Sequence, residues 1–142
     1  MNLADVLHDK SKNIYKLKDG DSIATAATML TEKKIGALLV EDDNAKLIGI
    51  ISERDIVGGM GPHGADLHDV RVSELMTPNP VCCKPQDSIL DAMAMMTDRH
   101  FRHLPVFDGE DLIGLVSLGD LVKHRINEIQ AEAEAMRQYI ST

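Results

Sequence analysis

The run "LIGIISERDIV" at residues 47–57 returns almost unchanged as "LIGLVSLGDLV" at residues 112–122, 65 positions later. Upstream of it the match continues at an offset of 66, where Asp21-Ser22-Ile23 returns as Asp87-Ser88-Ile89. The offset changes because "EDDNAK" holds one residue more than its counterpart "FDGED", a difference that a hairpin loop tolerates. Self-similarity over such a period indicates a fold built from repeated units. The sequence therefore predicts two copies of one supersecondary unit.

Both copies carry helix and strand signals in the same order. Apolar residues at i, i+3, i+4 and i+7 form one helix face in each copy, namely Ile23, Ala26, Ala27 and Leu30, and then Ile89, Ala92, Met93 and Met96. Asp-Ser precedes both helices and supplies an N-cap. Apolar strands follow in "GALLVED" and "HLPVFD", return strands in "KLIGIIS" and "DLIGLVS", and then a second helix. Each copy reads β-α-β-β-α, and a pseudo-twofold pair of them would form an α/β sandwich.

Composition narrows the range of functions. The formal charge of −8 opposes binding to a phosphate backbone, so we expect no nucleic-acid partner. No apolar run approaches the roughly 20 residues of a membrane helix, and the start "MNLADVLHDK" shows no secretory signal. The adjacent Cys82 and Cys83 are poorly placed to pair with each other. These features predict a cytoplasmic protein with reduced thiols and no membrane partner.

Ser52-x-x-Asp55 and Ser117-x-x-Asp120 stand at equivalent strand-to-helix junctions. One interpretation is structural, because a serine N-cap with an acidic residue three positions later resembles a capping box. The other is functional. A helix N-terminus offers free N–H groups to a phosphate, and a short carboxylate one turn later can accept hydrogen bonds from ribose hydroxyls. The residues alone leave both interpretations open, and the duplication favours the nucleotide site.

Both halves resemble CBS motifs, and the pair resembles a Bateman module. The landmarks are "VSELMT" (72–77) and "FRHLPVFD" (101–108), together with the duplicated run extended to "LIGLVSLGDLVKHRI". The resemblance covers roughly residues 1 to 127. It predicts the following division: motif 1 with the N-terminal segment at 1–62, a linker at 63–76, motif 2 at 77–127, and a helical extension at 128–142.

The resemblance implies a regulatory protein without catalytic residues or a metal site. It implies an adenine-nucleotide ligand in the cleft between the repeats: AMP first, with ADP, ATP, NAD(H) or S-adenosylmethionine as alternatives. The ligand would report energy or redox state to a separate partner protein. Two rival hypotheses remain, a small hydrolase or transferase, and a ligand-free scaffold that acts through its C-terminal helix.

Site residues follow from the resemblance position by position. Asp55 and Asp120 match ribose-binding aspartates, and Ser52, Ser117 and Arg54 match the phosphate-facing part of the motif. Lys16, Val81 and Cys82 match the strands whose backbone reads the adenine edge. The segments that lie along the base and sugar are matched by Gly36, Ala37, Leu38, Arg102, His103 and Leu104, with Pro105 next to them. Thr77 matches a polar position near nucleotides.

The two copies are not identical at these positions. Gly119 stands where the first copy has Arg54, and Arg102 and His103 have no polar equivalents in "IGALLV". We therefore expect unequal half-sites, with one phosphate contact missing from the second copy. The stretch Gly59–Gly64 spells GxGxxG, but it follows a helix and contains a proline, so we expect a flexible joint there and not a phosphate loop.

The C-terminal pattern differs from the repeat in length. Helical periodicity continues from Ser117 to about Ile140, whereas the first copy stops at Gly58-Gly59. Steps of 4, 3, 4, 3 and 4 separate the apolar residues of a heptad seam: Val122, Ile126, Ile129, Ala133, Met136 and Ile140. This seam either folds back on its own domain or pairs with its twin in a homodimer.

Overall fold

The structure is a computed structural model that describes residues 1–10 and 13–141. The chain divides into two compact units. The first unit is Tyr15–Pro80, and the second unit joins Met1–Ile14 to Val81–Thr142. The N-terminal segment therefore lies with the second repeat, although the sequence boundaries place it beside the first.

The first unit has the β-α-β-β-α order that the sequence predicts, followed by three short elements. They are β1 (Lys16–Lys18), α2 (Ile23–Lys33), β2 (Ala37–Glu41), β3 (Leu47–Ser52), α3 (Glu53–His63), a 3₁₀ turn (Gly64–Asp69), α4 (Val72–Leu75) and β4 (Thr77–Pro78). The strands form one sheet in the order β1-β2-β3-β4, with β1 parallel to β2 and the other pairs antiparallel. The predicted helix face packs on this sheet, since Ile23, Ala26 and Leu30 are buried in the core.

The second unit begins with α1, and its repeat elements lie in the C-terminal half of the chain. They are α1 (Leu3–His8), α5 (Ile89–Arg99), β5 (His103–Asp108), β6 (Asp111–Ser117) and α6 (Leu118–Ser141). β5 and β6 pair antiparallel. Ser22 and Ser88 accept hydrogen bonds from the first turns of α2 and α5, which confirms both predicted N-caps. The two-repeat α/β fold with a long C-terminal helix is confirmed.

The first strand of the second repeat is reduced to a single parallel bridge between Cys83 and Val106. In the first unit, the Leu39 N–H donates to the Tyr15 carbonyl at 3.4 Å. The residue 66 positions after Leu39 is Pro105, which has no N–H to donate. The ladder therefore lacks one bond at this place, and a predicted strand becomes a bridge.

Helix α1 is built into the core of the second unit. Leu3 and Val6 are fully buried there, and the Leu3 N–H donates to the Asp87 carbonyl at 3.0 Å. In the first unit α4 makes the equivalent contact, because the Val72 N–H donates to the Asp21 carbonyl at 2.8 Å. Each unit thus completes its core with a short helix from outside the repeat as the sequence defines it.

This equivalence reveals a third duplicated stretch. "NLADVL" from residue 2 matches "RVSELM" from residue 71 in its apolar and acidic positions, at an offset of 69. Asp5 and Glu74 each bond back to the backbone N–H three residues earlier. The apolar pattern of this stretch is visible in the sequence, but its different offset hides it from a search at 65 or 66.

The prediction of a flexible joint at Gly59–Gly64 is wrong. α3 continues through Pro62 to His63, and the 3₁₀ turn follows directly. Gly59 is buried, and a Cβ at that position would lie 2.6 Å from Leu75 Cδ1. The glycine allows α4 to approach the helix closely, so it serves packing, and the helix does not stop at Gly58-Gly59.

The long C-terminal helix is confirmed, but most of it is uncovered. Leu121 and His124 are its only buried residues among those described. Ile126, Ile129, Met136 and Ile140 are 50%, 49%, 60% and 77% exposed, which contradicts the alternative that the seam folds back on the chain. Within the described residues, no helix combines the length and apolar composition that a bilayer crossing requires.

Candidate functional site

The first corner is the turn from β3 into α3, residues Ser52 to Asp55. The Ser52 N–H donates to Asp55 Oδ2 at 2.8 Å, and the Asp55 N–H donates to Ser52 Oγ at 3.3 Å. This reciprocal pair is a capping box, so the structural interpretation is correct. The box uses one carboxylate oxygen. Among the described residues no donor reaches Asp55 Oδ1, so a ligand hydroxyl has an acceptor there.

The second corner, residues Ser117 to Asp120, repeats the box with an additional partner. The Ser117 N–H donates to Asp120 Oδ2 at 2.9 Å, and the Asp120 N–H donates to Ser117 Oγ at 3.1 Å. Lys10 Nζ also donates to Asp120 Oδ2 at 2.6 Å and to the Leu115 carbonyl at 2.7 Å. Burial alone would raise the pKa of Asp120, but the Lys10 and Ser117 hydrogen bonds and the Lys10 charge together lower it.

The segments predicted to lie along base and sugar adjoin the corners. The Glu53 N–H donates to the Gly36 carbonyl at 3.1 Å, and the Leu118 N–H donates to the Arg102 carbonyl at 2.8 Å. In the strand pairs, Ala37 lies opposite Ser52 and His103 lies opposite Ser117. In each unit, the corner and the beginning of the neighbouring strand therefore lie side by side.

Four of the predicted site residues are buried. Leu38 and Leu104 lie in the two cores with no exposed surface, and Ala37 and Pro105 are also buried. Their side chains pack inside the protein, so only their backbone groups could contact a ligand. A backbone role and a side-chain role could not be separated at these positions from the sequence.

The predicted residues on the outer strands lie further from the corners. Lys16 pairs with Leu39, two residues along β2 from Ala37, and its Nζ lies 3.6 Å from Glu41 Oε2. Thr77 pairs with Ile50, two residues before Ser52 on β3. Both side chains are exposed.

The bridge segment of the second unit holds the last predicted residues. Val81 packs against the core edge, and Cys82 is exposed. Neither Cys82 nor Cys83 forms a disulfide. Burial raises the pKa of the Cys83 thiol to about 11, with Asp87 and Cys82 adding to the effect, and this disfavours the thiolate that a nucleophile requires.

Arg54 and Gly119 occupy equivalent places in the first turns of α3 and α6. Arg54 is exposed and makes no hydrogen bond or ion pair with any described residue. A Cβ at Gly119 would meet only Ser117 Oγ, at 3.7 Å. The first corner therefore carries a cationic side chain that no described residue binds. The second corner has no side chain at this position.

The second unit contains a groove of about 640 Å³ beside its corner. Its lining residues are Arg102, His103, Ser117, Leu118, Gly119, Val122, Lys123, Ile126 and Asn127. Arg102, His103 and Ser117 were predicted from the sequence, whereas the α6 residues beyond Gly119 were missed. These residues lie at i+3, i+4, i+7 and i+8 from Gly119, on the same face of the helix, so helical periodicity could have predicted them. Lys123 gives this groove a cation one turn after the missing arginine.

The chemistry of the described residues does not include a metal cluster. No group of three or more His, Cys, Asp or Glu side chains among them could hold a metal ion. Both corners instead combine a capped carboxylate, a helix N-terminus and a nearby cation. This arrangement can bind a polar, phosphate-bearing small molecule.

Comparison with known proteins identifies the family. The model for the CBS domain matches residues 3–61 and 72–127. The mitochondrial CBS domain-containing protein CBSX3 of Arabidopsis thaliana is 31% identical over 147 residues, which covers 97% of this chain and 71% of that protein. A relative in Thermofilum pendens is 35% identical, and the chain spans 31% of its length. The chain belongs to the CBS-domain family and carries two CBS domains.

Solved structures agree with this assignment. A CBS-domain containing protein from Agrobacterium tumefaciens has a TM-score of 0.84 and 36% identity, covering 87% of this chain and 92% of that one. CBSX2, solved in complex with AMP, has a TM-score of 0.71 and 28% identity, covering 89% of this chain and 96% of that one. The CBS-pair resemblance read from the sequence is therefore confirmed.

Proposed function

We propose that this chain is a non-catalytic regulatory module that binds an adenine nucleotide, with AMP as the first candidate and ADP, ATP or NAD(H) as alternatives. The observation that carries the proposal is the first corner. There a capped Asp55 keeps one carboxylate oxygen open, next to an uncommitted Arg54 at a helix N-terminus. The complex of the related CBSX2 with AMP supports the same ligand class.

Each group at the first corner has a defined task in this proposal. Asp55 accepts hydrogen bonds from the ribose hydroxyls, while the free N–H groups of the first turn of α3 and the Arg54 guanidinium bind the phosphate. Arg54 is important because the chain carries a formal charge of −8 and repels anions at long range. Occupancy of this site would signal energy or redox state to a separate partner protein.

Thermal unfolding with a nucleotide panel tests the proposal. A ligand that binds only the folded state at 100 times its Kd adds roughly 2.7 kcal/mol of stability, which raises the Tm by several degrees. AMP, ADP, ATP, NAD(H) and adenosine should raise the Tm more than GMP or CMP. Equal shifts for all bases would contradict adenine selectivity. A panel without any shift would favour the ligand-free scaffold, and steady nucleotide turnover by the pure protein would favour a hydrolase.

The proposal includes a homodimer formed through α6. Its seam presents Ile126, Ile129, Met136 and Ile140 at heptad spacing, all of them largely exposed on the single chain. Pairing with the same seam of a second copy would bury these side chains symmetrically.

Sedimentation velocity on the full chain tests the dimer. The double variant Ile126→Glu and Ile129→Glu, and separately removal of residues 128–142, should shift the protein towards monomer. The matched control Ala131→Glu adds charge at an f position, on the face of the same exposed helix that points away from the seam, and should leave the dimer intact. A dimer that persists unchanged in both seam variants would show that α6 is not the main contact.

A further inference from the structure

The two corners differ most in the partner of the aspartate. Asp120 shares its Oδ2 between the Ser117 N–H and Lys10 Nζ, which lies 2.6 Å away. Asp55 makes no ion pair with any described residue. Both carboxylates keep Oδ1 without a donor among the described residues, but only the Asp120 carboxylate is bound to an ammonium group.

Lys10 is held in place by the packing of α1. Leu3 and Val6 anchor the helix in the core of the second unit. Leu7 lies over Gly114 so closely that a Cβ there would be 2.5 Å from Leu7 Cδ2. Because Lys10 follows this anchored helix by two residues and also bonds to the Leu115 carbonyl, it is a built-in neighbour of Asp120.

The first unit has no such lysine. At the offset of 69 that relates α1 to α4, the position of Lys10 corresponds to Asn79. Asn79 carries no charge, and its backbone N–H donates to the Ile48 carbonyl at 3.0 Å. At the second corner Asp120 Oδ1 has no donor among the described residues, but Lys10 already balances the charge of that carboxylate through Oδ2. A ribose hydroxyl there would meet a weaker acceptor than the Asp55 carboxylate, whose charge no described cation balances.

We propose that Lys10 determines which corner binds ribose: it acts as an internal ligand of Asp120 and limits the chain to one ribose site, at Asp55. This inference rests on the proposed nucleotide function. With the Asp120 charge balanced by Lys10, the groove beside the second corner carries the cations Arg102 and Lys123 and no acidic lining residue. That groove favours an anionic group over a sugar.

Calorimetric titration of the full chain with AMP tests the inference through matched substitutions. Asp55→Asn should weaken AMP at least tenfold, whereas Asp120→Asn should change its Kd less than twofold. Lys10→Asn, which introduces the residue of the equivalent position, should raise the stoichiometry from one to two AMP per chain. Adding Asp120→Asn to Lys10→Asn should return it to one. Lys84→Asn removes the same charge elsewhere in the second unit and should leave the stoichiometry at one.

The outcomes separate the two proposals. If Asp120→Asn alone weakens AMP as much as Asp55→Asn does, a ribose binds Asp120 in the presence of Lys10 and the inference is overturned, while the nucleotide function stands. A Lys10→Asn protein that melts cooperatively and still binds one AMP overturns it as well. Absence of AMP binding by the unmodified chain overturns the proposed function and, with it, the inference.

Discussion

In the first unit Asp55 closes a capping box with Ser52 and meets no cation of the described chain, whereas in the second unit Asp120 closes the same box and binds Lys10 at 2.6 Å. The two corners share the same cap, because in each a serine and an aspartate three residues later form a reciprocal pair of hydrogen bonds. The charges differ for two reasons: Arg54 is replaced by Gly119 within the duplicated run, and Lys10 reaches Asp120 from outside it. Duplication thus preserves the cap, and single substitutions around it decide what each half-site can bind.

The strands of the two units also differ because of a single substitution, which here removes a backbone hydrogen bond. Leu39 donates an N–H to the first strand of its unit, and Pro105, its counterpart, cannot. The helices differ as well, since α3 ends at His63 after 11 residues and α6 continues for 24. The second unit therefore has less sheet and more exposed helix than the first, although both begin from similar sequences.

The largest effect is expected where α1 completes the second unit. Leu3→Ala removes a side chain with no exposed surface from the core, which should lower the free energy of unfolding by about 2–5 kcal/mol. Urea unfolding measures this loss. Leu90→Ala, at a position 54% exposed in the same unit, should cost less than about 1 kcal/mol. Equal costs for the two variants would show that α1 is not part of the core.

The next effect concerns the phosphate contact of the first corner. Arg54→Ala should weaken AMP about tenfold, or about 1.4 kcal/mol, and leave adenosine unchanged, because adenosine has no phosphate. The salt dependence of AMP binding should also flatten. Calorimetry with both ligands is the measurement, and Gly119→Ala is the control without a side chain to lose. Equal weakening of AMP and adenosine would show that Arg54 acts on the fold or on the base.

A smaller effect should appear in the acid stability of the second corner. The pKa of Asp120 lies below its usual value, so the Asp120–Lys10 pair stabilises the fold above the unfolded pKa of about 3.9. That stability is lost as the pH falls through the lower pKa that Asp120 has in the folded state. Lys10→Asn should therefore lower the Tm at pH 6, and the difference from the unmodified chain should shrink towards pH 2. A difference that stays constant down to pH 2 would contradict this titration.

The smallest effect tests the reduced strand. Pro105→Ala supplies an N–H at the position where Leu39 donates to the Tyr15 carbonyl in the first unit, and such a hydrogen bond is worth about 1 kcal/mol. The variant also loses the rigidity of proline, which offsets part of this gain. We expect little net change in stability and a new slowly exchanging amide at position 105 in hydrogen-exchange experiments. Rapid exchange of that amide would show that proline is not what shortens the strand.

Much of the fold and the caps of both corners could be predicted because they depend on neighbours in sequence. The helix faces at Ile23 and Ile89, the caps at Ser22 and Ser88, and the capping boxes involve residues at most seven positions apart. Their hydrogen bonds and periodicity are fixed by local backbone geometry. Local sequence could not decide between the two interpretations of Ser52-x-x-Asp55, because a helix cap and a phosphate site use the same turn.

Tertiary structure decided the features that join distant parts of the chain. Lys10 meets Asp120 across 110 positions, α1 enters the core of the second unit, and Gly59 packs under Leu75. No local pattern encodes these contacts, because they depend on which surfaces the folded units bring together. The sequence by itself determined two CBS repeats with two capped corners. The exchange of Arg54 for Gly119 was also visible in the sequence. Only the packing of α1 could place an ammonium group against one carboxylate and not the other.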